Sequence, residues 1–210
     1  MFHPSTLLVS AGLSFWLAQH VRRRKATPGS ATFVWLLVAI GTWCLCGAGH
    51  WAAGSLEAKL AWSRGQYFAI ASVPALSLTF ALQFAGLPWV TWARTIAFIW
   101  TIPVLTVIAC LTNAWHGALW SSVTLGPAGR AIYEHGWWFW IAAGHAYVLM
   151  LAGTLVIARA LRRSPMPYRG QFVALLAGAV LPWGGNLVYV TGLLPIEGLD
   201  LTPLMFAASG

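Results

Sequence analysis

Long, nearly uncharged apolar stretches alternate along this chain with short segments that hold almost all of its charge. Six stretches come near the ~20 residues that a helix needs to cross a hydrocarbon core of about 30 Å: positions 5–21, 31–51, 66–85, 89–111, 137–161 and 171–191. A seventh opens near Thr202 and runs to Gly210, about half a span. The pattern predicts an all-α, polytopic membrane helix bundle with six complete transmembrane helices plus the start of a seventh. Residues 1–210 are expected to form a single membrane domain cut within its last helix.

Lys and Arg accumulate in the cytoplasmic connections of such bundles, so charge placement fixes topology. Arg22, Arg23, Arg24 and Lys25 follow the first span, Arg94 opens the fourth, and Arg159, Arg162, Arg163 and Arg169 lie between the fifth and sixth. The opposite connections are expected to hold Lys59, Arg64 and Arg130 with all the acids, Glu57, Glu134, Glu197 and Asp200. This asymmetry places the N-terminus outside and the C-terminus inside. The connection from Thr112 to Gly136, on the outer side, carries Trp115, His116, Trp120, Tyr133 and His135 and is expected to form a structured lid.

Composition removes whole function classes. With 59% hydrophobic and only 8% charged residues the chain lies far from soluble proteins. The net charge of +8 sits in loop clusters that orient helices, so nucleic acid is not an expected partner. Cys44, Cys46 and Cys110 fall inside apolar stretches and read as small buried residues instead of a disulfide framework.

Polar groups inside a bilayer are costly, which makes them functional candidates. Trp43, Cys46, Gly47 and His50 share a face of the second span, and Pro103, Thr106, Cys110 and Asn113 share one on the fourth. The fifth offers Trp138 and His145, and the sixth Asn186 with Pro182 and Tyr189. All could line a cavity in the outer half, and each could equally serve helix packing. Gly184 and Gly185 after Pro182 form a candidate pivot. His50, His116, His135 and His145 lack HxxxH or CxxC spacing, so no metal and no cofactor is assigned. No hydrolytic constellation or nucleotide motif is present, and no catalytic residue is named. Lys25 and Lys59 are placed in connections, which argues against a retinal Schiff base.

Phe80-Ala81-Leu82-Gln83-Phe84-Ala85-Gly86, Thr112-Asn113-Ala114-Trp115-His116-Gly117-Ala118-Leu119-Trp120, Leu181-Pro182 with Asn186 and Tyr189, and Gly198-Leu199-Asp200-Leu201-Thr202-Pro203 occur in that order. In this order and spacing they resemble the seven-span membrane region at the N-terminus of certain bacterial and archaeal histidine kinases. Roughly residues 65–210 carry the likeness. The resemblance implies a sensor in the bacterial cytoplasmic membrane, working as a homodimer, whose last helix leads to a cytoplasmic signalling module in the parent chain. The chain itself is then no enzyme.

The reading that follows is a ligand-sensing domain for a small apolar or amphipathic molecule. Its candidate ligand-binding residues are His50, Asn113, His116, Trp120, Trp138, His145, Asn186 and Asp200. Pro182, Gly184, Gly185, Thr202 and Pro203 are candidates for signal relay, with Asp200 or Thr202 also suited to cap the seventh helix. Ala174 and Gly178 at i, i+4 spacing suit a dimer seam or a contact within one bundle. Two other classes compete: a transporter or channel component, for which no internal repeat is evident, and a membrane metalloenzyme built on the histidines.

Overall fold

The computed structural model describes residues 4–25, 27–87, 93–126 and 129–163. The expected sixth and seventh spans, with Ala174, Gly178, Pro182, Gly184, Gly185, Asn186, Asp200, Thr202 and Pro203, lie outside the described residues. In chain order the elements are α1 (Pro4–Arg22), α2 (Ser30–Ala52), α3 (Leu56–Phe84), α4 (Ala93–Leu111), a single turn α5 (Asn113–His116), strands β1 (Trp120–Leu125) and β2 (Ala131–His135), and α6 (Trp137–Arg163).

Among the described residues α2, α3, α4 and α6 are long and apolar enough to cross a membrane. They stand where four of the six spans are expected. α1 occupies the first expected span but falls outside that group, since Ser5, Thr6, Ser10, Ser14, Gln19 and His20 dilute its apolar run. Its outward residues Leu8, Val9, Leu13 and Trp16 are nonetheless apolar.

The largest departure lies in α3. It begins at Leu56, ten residues before the apolar run at 66, so Lys59 and Arg64 belong to a helix and not to a connection. Ser55 caps its first turn by accepting from the Ala58 N–H at 3.2 Å, with Glu57 complementing the helix dipole. At its other end Gly86 takes a left-handed φ of 67°. There the Gly86 N–H donates to the Gln83 carbonyl and the Leu87 N–H to the Leu82 carbonyl, closing the last turn as glycine permits. At 29 residues α3 is about 44 Å long, well beyond a hydrocarbon core of about 30 Å.

α3 is the hub: it packs on α2, α4 and α6, whereas α1 packs on α2. One apolar core joins α1, α2 and α3 through Ala11, Leu36, Ile40, Trp43, Cys44, Ala69 and Val73. A second joins α3, α4 and α6 through Ala75, Leu78, Leu82, Ile99 and Leu149. The remaining large side chains point outward, among them Ile96, Phe98, Val104 and Ile108 on α4 and Ile141, Val148, Leu151 and Leu155 on α6. An apolar exterior on this scale would be anomalous in water and is what lipid requires.

The connection between α4 and α6 corrects the all-α expectation. Its strands pair antiparallel, Val123 opposite Tyr133 and Thr124 opposite Ile132, with a bulge between Trp120 and Ser122. Alternating β-branched and aromatic residues around Gly126 and Gly129 favour a hairpin. Open sheet edges need water or headgroups, which this connection can find beyond the bilayer core.

Candidate functional site at the hairpin end

Most hydroxyls on the helices are already satisfied locally. Ser14, Thr42, Ser72, Thr79, Thr101, Thr106 and Thr154 each donate to the carbonyl four residues earlier, as such side chains do in lipid. Some polar groups reach between elements elsewhere, as Thr32 Oγ1 of α2 does in donating to Gln83 Oε1 of α3 at 2.6 Å, but a connected set of them gathers beneath the hairpin.

There the chain of contacts starts on β2. The Tyr133 hydroxyl lies 2.7 Å from Ser63 Oγ on α3, and Ser63 Oγ lies 3.1 Å from His50 Nδ1 on α2. The same Nδ1 is 3.2 Å from the Lys59 carbonyl, so the imidazole tautomer decides whether it gives to Lys59 or accepts from Ser63. Lys59 is buried, and its Nζ donates to the His50 carbonyl at 3.0 Å. A cation on the last carbonyls of α2 complements the negative end of that helix.

Apolar packing holds the strands in place. Cys110, Leu119 and Trp120 are buried together, with Leu60, Tyr67, Val123, Tyr133, Trp138 and Phe139 around them. Trp120 stands edge-on to Tyr67 at 5.2 Å and is tilted against Tyr133 at 5.2 Å. Burial pushes the Tyr133 hydroxyl above its ordinary pKa, against the opposing effect of its bond to Ser63. His135 stacks on Phe139 with centroids 3.6 Å apart, and burial lowers its pKa.

The expected ligand residues that are described divide into three groups. Asn113 and His116 organise backbone: Asn113 Oδ1 accepts from the Leu119 and Trp120 N–H groups at 2.9 and 3.1 Å, and its Nδ2 donates to the Trp120 carbonyl at 2.9 Å. His116 Nδ1 accepts from the Ala118 N–H at 2.9 Å, which leaves the proton on Nε2, 3.0 Å from Thr112 Oγ1. Gly117 between them takes a left-handed φ of 58° that closes α5. Trp120 and Trp138 share the core at the hairpin end, where Trp138 Nε1 donates to Thr106 Oγ1 at 3.1 Å, and His50 reaches the same end through Ser63 and the Tyr133 ring. His145 sits apart, 3.0 Å from the Phe98 carbonyl between α6 and α4. Asn186 and Asp200 lie outside the described residues.

Sequence reasoning did not single out Ser63, Tyr133 and the buried Lys59 as a connected set. The capping Ser55 with Glu57 after it was the readable sign that α3 starts early and brings Lys59 and Ser63 onto one helical face. Among the described residues no group of three or more His, Cys, Asp or Glu side chains is placed to hold a metal ion.

Apolar spans, a lipid-matched exterior and a hairpin seated on one end define a multi-pass membrane protein. The chain belongs to the family described as the N-terminal 7TM region of histidine kinase, whose family model matches residues 6–210 and so takes in the first two helices as well. These residues are thus the membrane sensor region of a histidine kinase, and the catalytic module is not among them. No curated protein and no solved structure matches the chain.

Proposed function

We propose that this domain binds a small apolar or amphipathic molecule near the hairpin end of the bundle and relays its occupancy through the seventh helix to the cytoplasmic kinase module. The observation that carries the reading is the Tyr133–Ser63–His50 chain, because it ties an element outside the bilayer core to two spanning helices in one continuous set of bonds. A ligand that favours one packing of hairpin on α3 shifts the bundle by its difference in affinity for the two arrangements. The charge asymmetry of the connections supports reading this end as the outer one in a bacterial cytoplasmic membrane, and a homodimer suits a kinase that acts between two protomers.

Mass spectrometry of the purified chain in mild detergent, with Tyr133→Phe and His116→Ala variants alongside, tests this. A stoichiometric compound distinct from the bulk bilayer lipids, retained by the wild type and depleted in Tyr133→Phe, supports the reading. Identical bulk lipid in all three, together with a kinase fusion that responds to no added compound, removes it.

A further inference from the structure

Arg64 stands on α3 two turns in from its start, and its Nε is buried with no hydrogen-bond partner. No carboxylate reaches it among the described residues: Glu57 is exposed, and Glu134 is exposed with Oε2 taken by Ser122 at 2.7 Å. Lys59 is engaged with the end of α2, which leaves the Arg64 Nε without a partner among the described residues. Leaving a guanidinium nitrogen desolvated and unpaired is expensive, and its planar fork matches a carboxylate.

Phe68, one turn further along the same face of α3, opens a groove of about 460 Å³ between α2, α3 and α4. Its walls include Thr42 and Trp35 of α2, Ser72 and Leu76 of α3, and Trp100 of α4. Thr42 and Ser72 turn their hydroxyls to their own helices, so the surface offered is apolar. The volume lies in the range of small-molecule sites. Arg64 thus sits about 6 Å along the axis above the first groove residue of α3 and about 12 Å above Ser72. A single cation at one end of an apolar slot complements a molecule with one negative head and an apolar chain.

We propose that α3 holds an anionic amphiphile, a carboxylate on an alkyl chain, with the carboxylate on Arg64 and the chain in the groove between α2, α3 and α4. The proposal rests on the sensor reading and gives the ligand its chemical class. It also moves the ligand's body from the hairpin core, where Trp120 and Leu119 already fill the space, to the lipid-facing side of α3.

The test is equilibrium binding of laurate to the full chain in lipid nanodiscs, with empty discs subtracted, alongside methyl laurate and acetate. Saturable binding of one laurate per chain is expected, weakened at least about 10-fold by esterification or by Arg64→Gln, as for other buried charge pairs that lose a partner. Arg64→Lys, which keeps the charge but not the fork, should fall between, and it stands in if Arg64→Gln fails to fold. Ser72→Phe should weaken laurate by filling the groove and leave acetate unchanged. Equal binding of laurate and its methyl ester, or undiminished binding by the Arg64 variants, overturns the carboxylate contact. Acetate binding as tightly as laurate overturns the groove. A chain that ignores laurate but retains an uncharged regulator loses this assignment and keeps the sensor reading, whereas a chain that no small molecule regulates loses both.

Discussion

Tyr133 and Ser63 meet hydroxyl to hydroxyl at 2.7 Å although 70 positions separate them, and this bond is where the hairpin is fastened to α3. Tyr133→Phe removes one neutral hydrogen bond while keeping the ring against Trp120. The expected loss is about 0.5–1.5 kcal/mol. It should appear as faster amide hydrogen exchange across β1 and β2 with α3 unchanged. Ser63→Ala should act in the same direction, and the double variant should cost less than the two single losses combined. Full additivity would mean that the two hydroxyls do not cooperate.

Asn113 fills three backbone contacts with one amide. Asn113→Ala strands buried donors at Leu119 and Trp120, for about 1–3 kcal/mol each if water does not reach them. Limited proteolysis at the hairpin should accelerate sharply. Asn113→Asp keeps the acceptor and loses the donor to Trp120, so its effect should be smaller.

Two glycines of the same region make a contrasting pair. A methyl group on Gly136 would meet the backbone carbonyls of Ala118 and Gly117, whereas at Gly144 nothing lies within 4 Å among the described residues. Gly136→Ala is expected to lower the melting temperature markedly and Gly144→Ala to leave stability within about 0.5 kcal/mol of wild type or slightly raised, since alanine favours helix. A thermal melt in detergent decides this.

His135 sets a pH dependence. Its folded pKa is below the ordinary value because the ring is buried among Phe139, Trp140 and Trp120's strand. The unfolded chain therefore takes up a proton first as pH falls. Hairpin stability should be complete above the unfolded value of about 6.5 and decline as pH drops from there toward the folded value. Exchange rates of hairpin amides between pH 8 and 5 should show this decline, and His135→Phe should flatten it. A rise in stability on acidification contradicts the assignment.

The inferred topology makes its own forecast. With native Cys44, Cys46 and Cys110 all buried, background labelling is expected to be low. A membrane-impermeant maleimide added to intact cells should label Thr124→Cys in β1 and leave Lys25→Cys unreacted. The reverse pattern would invert the domain in the membrane.

Hydropathy located the helices that touch lipid because lipid is what it measures. The expected stretch 31–51 became Ser30–Ala52, and 137–161 became Trp137–Arg163. It missed the first ten residues of α3 because Glu57, Lys59 and Arg64 end the apolar run, although Ser55 announces the helix. It missed the hairpin because short alternating strands carry little weight beside 20-residue runs, even with Gly126 and Gly129 between them. At the site, Asn113, His116, Trp120, Trp138, Thr106 and Tyr133 were conspicuous by residue type. Ser63 was not, and neither was the pairing of any of them, since a hydroxyl reveals its role only when the fold shows which one reaches across and which bonds to its own helix.

The length of α3 has a mechanical side. Its apolar portion begins only past Arg64, so where charge sets the depth of the helix, its first two turns would stand clear of the hydrocarbon and meet the strands through Leu60 and Ser63. Bilayer thickness then becomes an input in its own right. A thicker membrane would press headgroups up against the seated hairpin, and a thinner one would tilt the helix or draw lipid inward along it, at a fraction of a kcal/mol per Å of mismatch. The same bundle would read the physical state of its membrane through the pitch of a single helix.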